Sequence, residues 1–481
     1  MRNNKISSGI SQLDLILDGG FIRKKSYLVK GGPGTGKSTF GYHFLEEGNK
    51  HNEPTMLISL GESEENIRSH SEAQNIDLSG TTILNLGPGN QDAKSTQNYS
   101  VFSPLEVEAE PIINNIIEAI EEYKPSRVML DSITMVKYLY ENQYQYKNMA
   151  LSLIHQICSS GATLFIIAET HQSNAEEEAE FWVDGVMEVK AGPGWRRLQV
   201  HKYRGSDFRP GDHAIKITGN GVVVYPRLQP SDYDKDFRNI PLSSGIDDLD
   251  NMLEGGIEKG SITIITGPTG AGKTNLGIQF MKEASSRGER SVMYTFEEAR
   301  DVIVKRSQMI GVPVQSMIEN KQMVIKSIEP FSFSPDEFAM MIREDVEEND
   351  TRLVMIDSVG GYSLTVRQDE ALQRLHALCT YLGNVGVTAF LVNEVQSITG
   401  EFVTTNLNAS YLADNIIYLR YLELNGELKK AIGILKKRFS NFEKTIREFE
   451  ITGEGIKLGP PLTNLRGILS GVPYQLEPKK Q

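Results

Sequence analysis

Cysteine is nearly absent. Cys158 and Cys379 stand far apart with no C-x-x-C pair in a chain of 481 residues. Neither a disulfide framework nor a cysteine-built zinc site is expected, and both thiols read as small buried apolar groups. No stretch approaches the roughly 18 apolar residues of a membrane span, and Met1 to Ile6 hold no apolar signal core. No membrane partner is expected, and the location is expected to be cytoplasmic. An excess of positive charge is missing too, with 50 Lys and Arg against 63 Asp and Glu for a net charge of −13. That is the wrong sign for coating nucleic-acid phosphates, so nucleic acid is not an expected partner, although a local basic loop could still bind it. What the chain does have is apolar content, 39% hydrophobic against 23% charged. Such a composition buries real cores, and the length calls for two or three of them.

The chain repeats itself. Residues 7–38 read SSGISQLDLILDGGFIRKKSYLVKGGPGTGKS and residues 243–274 read SSGIDDLDNMLEGGIEKGSITIITGPTGAGKT, so each feature returns 236 positions later. RVMLDS around Asp131 is answered by RLVMIDS around Asp357, and HKYRGS by LKKRFS. The polar run PRLQPSDYDKDFRNI between the copies shows no apolar periodicity and reads as an exposed linker. The expected parts are a first domain 1–228, a linker 229–240, a second domain 241–460 and a short, turn-rich tail 461–481. Within each copy, apolar runs such as SYLVK and TLFIIAE alternate with amphipathic stretches such as INNIIEAIEEY. That alternation implies an α/β fold in each copy, a mostly parallel twisted sheet flanked by helices.

Each copy carries G-x-x-x-x-G-K-[ST] between a strand-like and a helix-like run. The first is Gly31, Gly32, Pro33, Gly34, Thr35, Gly36, Lys37 and Ser38, followed by Thr39. The second is Gly267, Pro268, Thr269, Gly270, Ala271, Gly272, Lys273 and Thr274, followed by Asn275. Glycines let backbone N–H groups converge on phosphate, the lysines neutralise it, and Ser38 and Thr274 offer hydroxyls to Mg²⁺. ATP or a related triphosphate is the expected ligand. Asp131 and Asp357 end apolar strands, where a carboxylate can hold a water on Mg²⁺; the alternative is a cap on the next helix. Hydrolysis also needs a carboxylate to orient or deprotonate water. VMYTFEE supplies Glu297 and Glu298, whereas MLISLGE supplies only Glu62 after Gly61. The first copy is therefore expected to turn over slowly, unless Glu62 substitutes or these acids are only solvated strand ends. Lys202 with Arg204, and Lys436 with Arg438, sit two apart on expected strands and would share one face. Such a pair is commonly a solvated face; recurring in two P-loop copies, it suggests a basic pair that reaches a neighbouring subunit's γ-phosphate.

The tandem order SSG-x-x-x-LD…GG, P-loop, strand-end acids, LDS and K-x-R-G-S resembles the KaiC family of circadian clock ATPases, within the RecA superfamily. The resemblance covers both copies and implies tandem RecA-like domains. It also implies a homohexameric double ring with ATP and Mg²⁺ at subunit interfaces, an ATPase-dominated first ring and a second ring that phosphorylates itself. The family's Ser-Thr acceptor pair falls on Ser410 and Tyr411, with Tyr411 the poorer fit to a site shaped for aliphatic hydroxyls; the first copy has Glu180 and Phe181 there. Glu297, helped by Glu298, takes the acceptor proton in this picture. Departures matter as well. The stretch from Glu169 to Asp184 is shorter than its family equivalent, which weighs against docking of a KaiB-like partner, and the short tail weighs against KaiA. Two alternatives stay open: a RecA/RadA-like recombinase or ring helicase, and a nucleotide-sensing assembly protein with little turnover.

Overall fold

The computed structural model describes residues 4–86, 104–137, 140, 142–170, 175–238, 240–329, 331–364, 368–395, 409–424, 426–463, 465–467 and 474–475. Two compact units emerge, Met1–Arg227 and Leu228–Gln481.

The first unit is built on nine strands: β1 (Ser26–Gly31), β2 (Thr55–Ser59), β3 (Thr81–Asn85), β4 (Arg127–Asp131), β5 (Thr163–Glu169), β6 (Gly185–Gly192), β7 (Trp195–Tyr203), β8 (Asp212–Thr218) and β9 (Gly221–Tyr225). They form one sheet in the order β3-β2-β4-β5-β1-β6-β7-β8-β9. Neighbours from β3 to β6 run parallel, and β7 to β9 extend the sheet as antiparallel hairpins. The apolar strands are explained by burial on both faces. In β4, Val128 and Leu130 enter one core and Met129 the other, the period of two that a pleated strand imposes.

The second unit repeats this plan with β10 (Ile262–Gly267), β11 (Arg290–Thr295), β12 (Met323–Ser327), β13 (Thr351–Asp357), β14 (Thr388–Glu394), β15 (Asn415–Leu424), β16 (Glu427–Lys437), β17 (Arg447–Thr452) and β18 (Gly455–Pro461). Their order is β12-β11-β13-β14-β10-β15-β16-β17-β18, the same topology strand for strand. Two cores again cover the two faces, with Met355 in one and Val354 and Ile356 in the other. In both units the P-loop helix packs tightly on the sheet because it carries a glycine there. A Cβ on Gly41 would meet the Met129 sulfur at 2.4 Å, and one on Gly277 the Met355 sulfur at 2.7 Å.

The polar run after Arg227 lies on the second unit and is less free than its composition suggests. Most of its side chains are exposed, but the Tyr233 ring stands edge-on to Tyr381 at 4.8 Å, and the Arg343 guanidinium lies 5.0 Å from the Tyr233 ring centre. One aromatic among polar neighbours is enough to pin the segment. Near the far end, Leu465–Arg466 pairs antiparallel with Tyr474–Gln475.

Two candidate nucleotide sites

The parallel strands aim their carboxyl ends at one edge of each sheet, and the P-loop opens there between strand and helix. In the first unit the helix Lys37–Lys50 follows β1, and in the second Lys273–Ser286 follows β10. Gly36 and Gly272 sit just before these helices with φ of +98° and +107°, a left-handed conformation that suits glycine. A Cβ at Gly272 would also strike Ile451 at 2.5 Å, whereas at Gly32 and Gly34 it would meet nothing within 4 Å. The loop is thus packed on one side and open on the other.

That open side faces a cavity of about 430 Å³ in the first unit and about 480 Å³ in the second, within the range of small-molecule pockets. The first is lined by Pro33, Gly34, Gly36, Lys37, Ser38, Thr39, Gly61, Glu62 and Asp131, and by Glu169. The second is lined by Thr269, Gly270, Gly272, Lys273, Thr274, Asn275, Glu297, Glu298 and Asp357, and by Glu394. The structure therefore gathers the P-loop, Asp131 or Asp357 and the strand-end glutamates around one hole in each unit.

The polar geometry is nearly duplicated. Lys37 Nζ donates to the Gly32 carbonyl and Lys273 Nζ to the Pro268 carbonyl, both at 2.8 Å. Ser38 Oγ donates to Asp131 Oδ2 at 2.8 Å, and Thr274 Oγ1 to Asp357 Oδ2 at 2.7 Å. Asp131 and Asp357 thus bond the P-loop hydroxyl rather than cap the next helix, and the peptide after each is cis. Burial pushes both lysines down from the usual ammonium range, opposed in the first by Glu169 and Asp131 and in the second by Glu394, Asp357 and Glu297. Burial also pushes the Asp131 carboxyl up against the Ser38 hydrogen bond. Asp357 is pushed up to about 6 by burial, with the Thr274 bond opposing and the charges of Glu297 and Glu298 adding. A hydroxyl and a carboxylate side by side in an acid-rich pocket are the hard oxygen donors that suit Mg²⁺ shared with phosphates. Among the described residues no three His, Cys, Asp or Glu side chains are grouped so as to hold a metal ion by themselves.

The sites part company at the acids. Ser358 Oγ donates to Glu297 Oε1 at 2.5 Å and fixes that carboxylate at the cavity wall. Gly61 leaves the corresponding Ser132 without such a partner, although both residues line the first cavity. Glu298 is held by Arg306, Nη1 to Oε1 at 2.5 Å. Glu62 is half exposed and lies 3.6 Å from His70, which stands where the second unit has Arg306. Sequence reasoning missed Glu169, Glu394, Ser358 and Arg306. The two glutamates carried the same signal as the aspartates, since TLFIIAE and TAFLVNE both end an apolar strand in an acid.

The basic pairs lie elsewhere. Lys202 and Lys436 are on β7 and β16, and Arg204 and Arg438 follow one residue past the assigned strand ends, their backbone N–H groups still donating to the Asp184 and Asp414 carbonyls at 2.8 and 3.0 Å. A bulge in each strand, between Val186 and Met187 and between Ile416 and Ile417 of the partner strand, shifts the register there. Lys202 Nζ donates to the Glu180 carbonyl at 2.6 Å, and Lys436 Nζ to the carbonyls of Ala413 at 2.5 Å and Ser410 at 3.3 Å. Arg438 pairs with Asp414 at 2.8 Å. Lys202 pairs with Val186, whereas Gly31 pairs with Val189, which puts the basic pair about 10 Å along the sheet from its own P-loop. Ser410 and Tyr411 lie in a single 3₁₀ turn, Ala409–Tyr411, before β15, and Tyr411 is 53% exposed. The span from Glu169 to Asp184 includes residues 171–174, and the tail runs past Gln475; both lie partly outside the described residues.

Comparison with known proteins agrees with this geometry. A family model described as "ATPase: KaiC" matches residues 6–229 and again residues 242–463. The chain belongs to the KaiC family of ATPases. It is 28% identical to the circadian clock oscillator protein KaiC of Parasynechococcus marenigrum (strain WH8102), over 99% of this chain and 94% of that protein. It is 26% identical to the circadian clock protein KaiC3 of Synechocystis sp. (strain ATCC 27184 / PCC 6803 / Kazusa), over 98% and 94%. With KaiC of Synechococcus elongatus (strain ATCC 33912 / PCC 7942 / FACHB-805) the identity is 27%, over 98% and 92%. Two tandem RecA-like α/β domains of an ATP-binding family are thus in hand, in keeping with the two P-loop sheets. Among the described residues no helix is long and apolar enough to cross a membrane.

Proposed function

We propose that this KaiC-family protein is a homohexameric ATP-hydrolysing ring whose turnover resides mainly in the second unit, and that the second unit also phosphorylates its own chain on Ser410. The observation that carries the reading is Glu297, fixed by Ser358 at 2.5 Å in the cavity that holds Lys273 and Asp357. In hydrolysis a water oxygen bonds the γ-phosphorus while the bond to the β–γ bridging oxygen breaks, leaving ADP and phosphate. Glu297 takes the water proton. Lys273 spreads positive charge on the β and γ phosphates, and the P-loop amides orient them. Thr274 and Asp357 would hold Mg²⁺, which when bound neutralises charge on the phosphates.

Position within the chain supports transfer between subunits. The P-loop of the second unit opens level with Leu419 in the middle of β15, whereas Ser410 lies in the turn before Asn415, the first residue of that strand and about 13 Å along it from Leu419. Ser410, Lys436 and Arg438 therefore serve a neighbouring copy's nucleotide better than their own, which ties the chemistry to assembly. Phosphoryl transfer would bond the Ser410 hydroxyl oxygen to the γ-phosphorus, release ADP and leave the hydroxyl proton on Glu297. Incubation with ATP and Mg²⁺, native mass measurement and phosphate mapping test both halves. Hexamers that appear with ATP, and phosphate on Ser410 that disappears in Glu297→Gln and Lys273→Ala, support the reading. A strict monomer at saturating ATP, or no phosphate despite steady turnover, would overturn the corresponding half.

A further inference from the structure

The second cavity holds charge that hydrolysis does not use. Arg306, on the helix Arg300–Met309, lines the cavity and spends only Nη1 on Glu298. Its Nε and Nη2 are buried and have no partner among the described residues. Asn275 Oδ1 is in the same condition, on a cavity-lining residue that is 8% exposed and follows Thr274 directly. Buried donors of a charged group are rarely left unpaired, so Arg306 Nε and Nη2 point to an absent acceptor, and Asn275 Oδ1, itself an acceptor, to an absent donor on the same cavity. The first unit lacks both features. Its equivalents are Thr39 and His70, and the His70 side chain is 59% exposed.

We propose that Arg306 is a nucleotide-holding residue particular to the second unit. Its Nε and Nη2 donate to an oxygen of the bound nucleotide, on the phosphate chain or the ribose, while Nη1 stays on Glu298; Asn275 adds a second polar contact. A planar guanidinium suits this because it presents two parallel donors to oxygen and keeps its charge when buried. The proposal rests on the second cavity being a nucleotide site. It gives Glu298 a role as the anchor of a binding arm, leaving Glu297 as the base.

The test uses the full chain with Lys37→Ala, so that ATP binding reports the second site, and measures dissociation constants for ATP and 2′,3′-dideoxy-ATP by equilibrium dialysis. Arg306→Ala should weaken ATP roughly tenfold or more, and Arg306→Lys, which restores charge without the fork, should fall between. A penalty that persists with the dideoxy analogue assigns the contact to phosphate; one that collapses assigns it to ribose. Binding by Arg306→Ala within twofold of the parent overturns the proposal. So does a lower melting temperature without nucleotide that leaves the dissociation constant unchanged, since that is a structural role only. Adding Lys273→Ala instead separates the failures: ATP binding that survives it removes the second cavity as a nucleotide site, whatever Arg306 does.

Discussion

The two units fold alike and are equipped differently. Each lays nine strands in one order, each turns its P-loop lysine onto a loop carbonyl, and each ties its P-loop hydroxyl to a buried aspartate. Around the hole the differences include Gly61 against Glu297 and Thr39 against Asn275, and Arg306 lines only the second cavity, with His70 at its sequence position in the first unit. Scaffold and phosphate cradle are thus shared, while the proposed base, Glu297, and the proposed holding residues, Arg306 and Asn275, belong to the second unit alone.

The largest effect that can break this comparison is expected from Glu297→Gln, which keeps the shape and the Ser358 contact but removes the base. Turnover at the second site should fall about 10²- to 10⁴-fold, with ATP affinity little changed, by single-turnover kinetics against equilibrium binding. Equal losses in affinity and rate would instead make Glu297 a binding residue. Next is Lys273→Ala, which should weaken nucleotide at the second site by about 10²-fold and leave the first occupied, so that measured stoichiometry falls from two per chain to one. Loss of both together would tie the sites in a way that two separate cradles do not explain.

A gain sharpens the comparison better than a loss. Gly61→Glu restores the missing acid where a Cβ would meet nothing within 4 Å, beside a Ser132 placed as Ser358 is. First-site turnover should rise about tenfold, measured with Lys273→Ala to silence the second. The smallest effect concerns pH. Asp357 has its pKa raised from 3.8 to about 6 in the folded chain, so the folded state holds the extra proton between those values. Its contribution is present below about pH 4 and is lost as pH rises through about 6. Asp357→Asn should therefore stabilise the nucleotide-free protein, with an advantage that grows by about 1 to 2 kcal/mol from pH 5 to pH 8 in chemical denaturation. A constant difference across that range would mean that the carboxyl titrates normally.

Much of this was written in the chain. The repeat and the apolar runs led to two α/β domains, and the P-loops, Asp131, Asp357 and Glu297 were readable because each is a local pattern at a strand end. The antiparallel extension β7 to β9, with its counterpart in the second unit, and the bulge beside Lys202 were not. They depend on pairing between strands, which no local pattern in the sequence records. Ser358 and Arg306 were equally hidden. Each is an ordinary polar residue until folding brings it to a glutamate 61 or 8 residues away. The Tyr233 anchor in the polar run stayed silent for the same reason, its partners Tyr381 and Arg343 being distant in sequence.

The central claim is that hydrolysis belongs mainly to the site that owns Glu297. The most direct measurement is steady-state phosphate release by Lys37→Ala and by Lys273→Ala, each normalised to the nucleotide it binds. The expected result is that Lys37→Ala, with only its second site in use, keeps most of the wild-type turnover while Lys273→Ala keeps little. Turnover that stays with Lys273→Ala and vanishes in Lys37→Ala would contradict it, and would place the working chemistry in the site that carries Gly61.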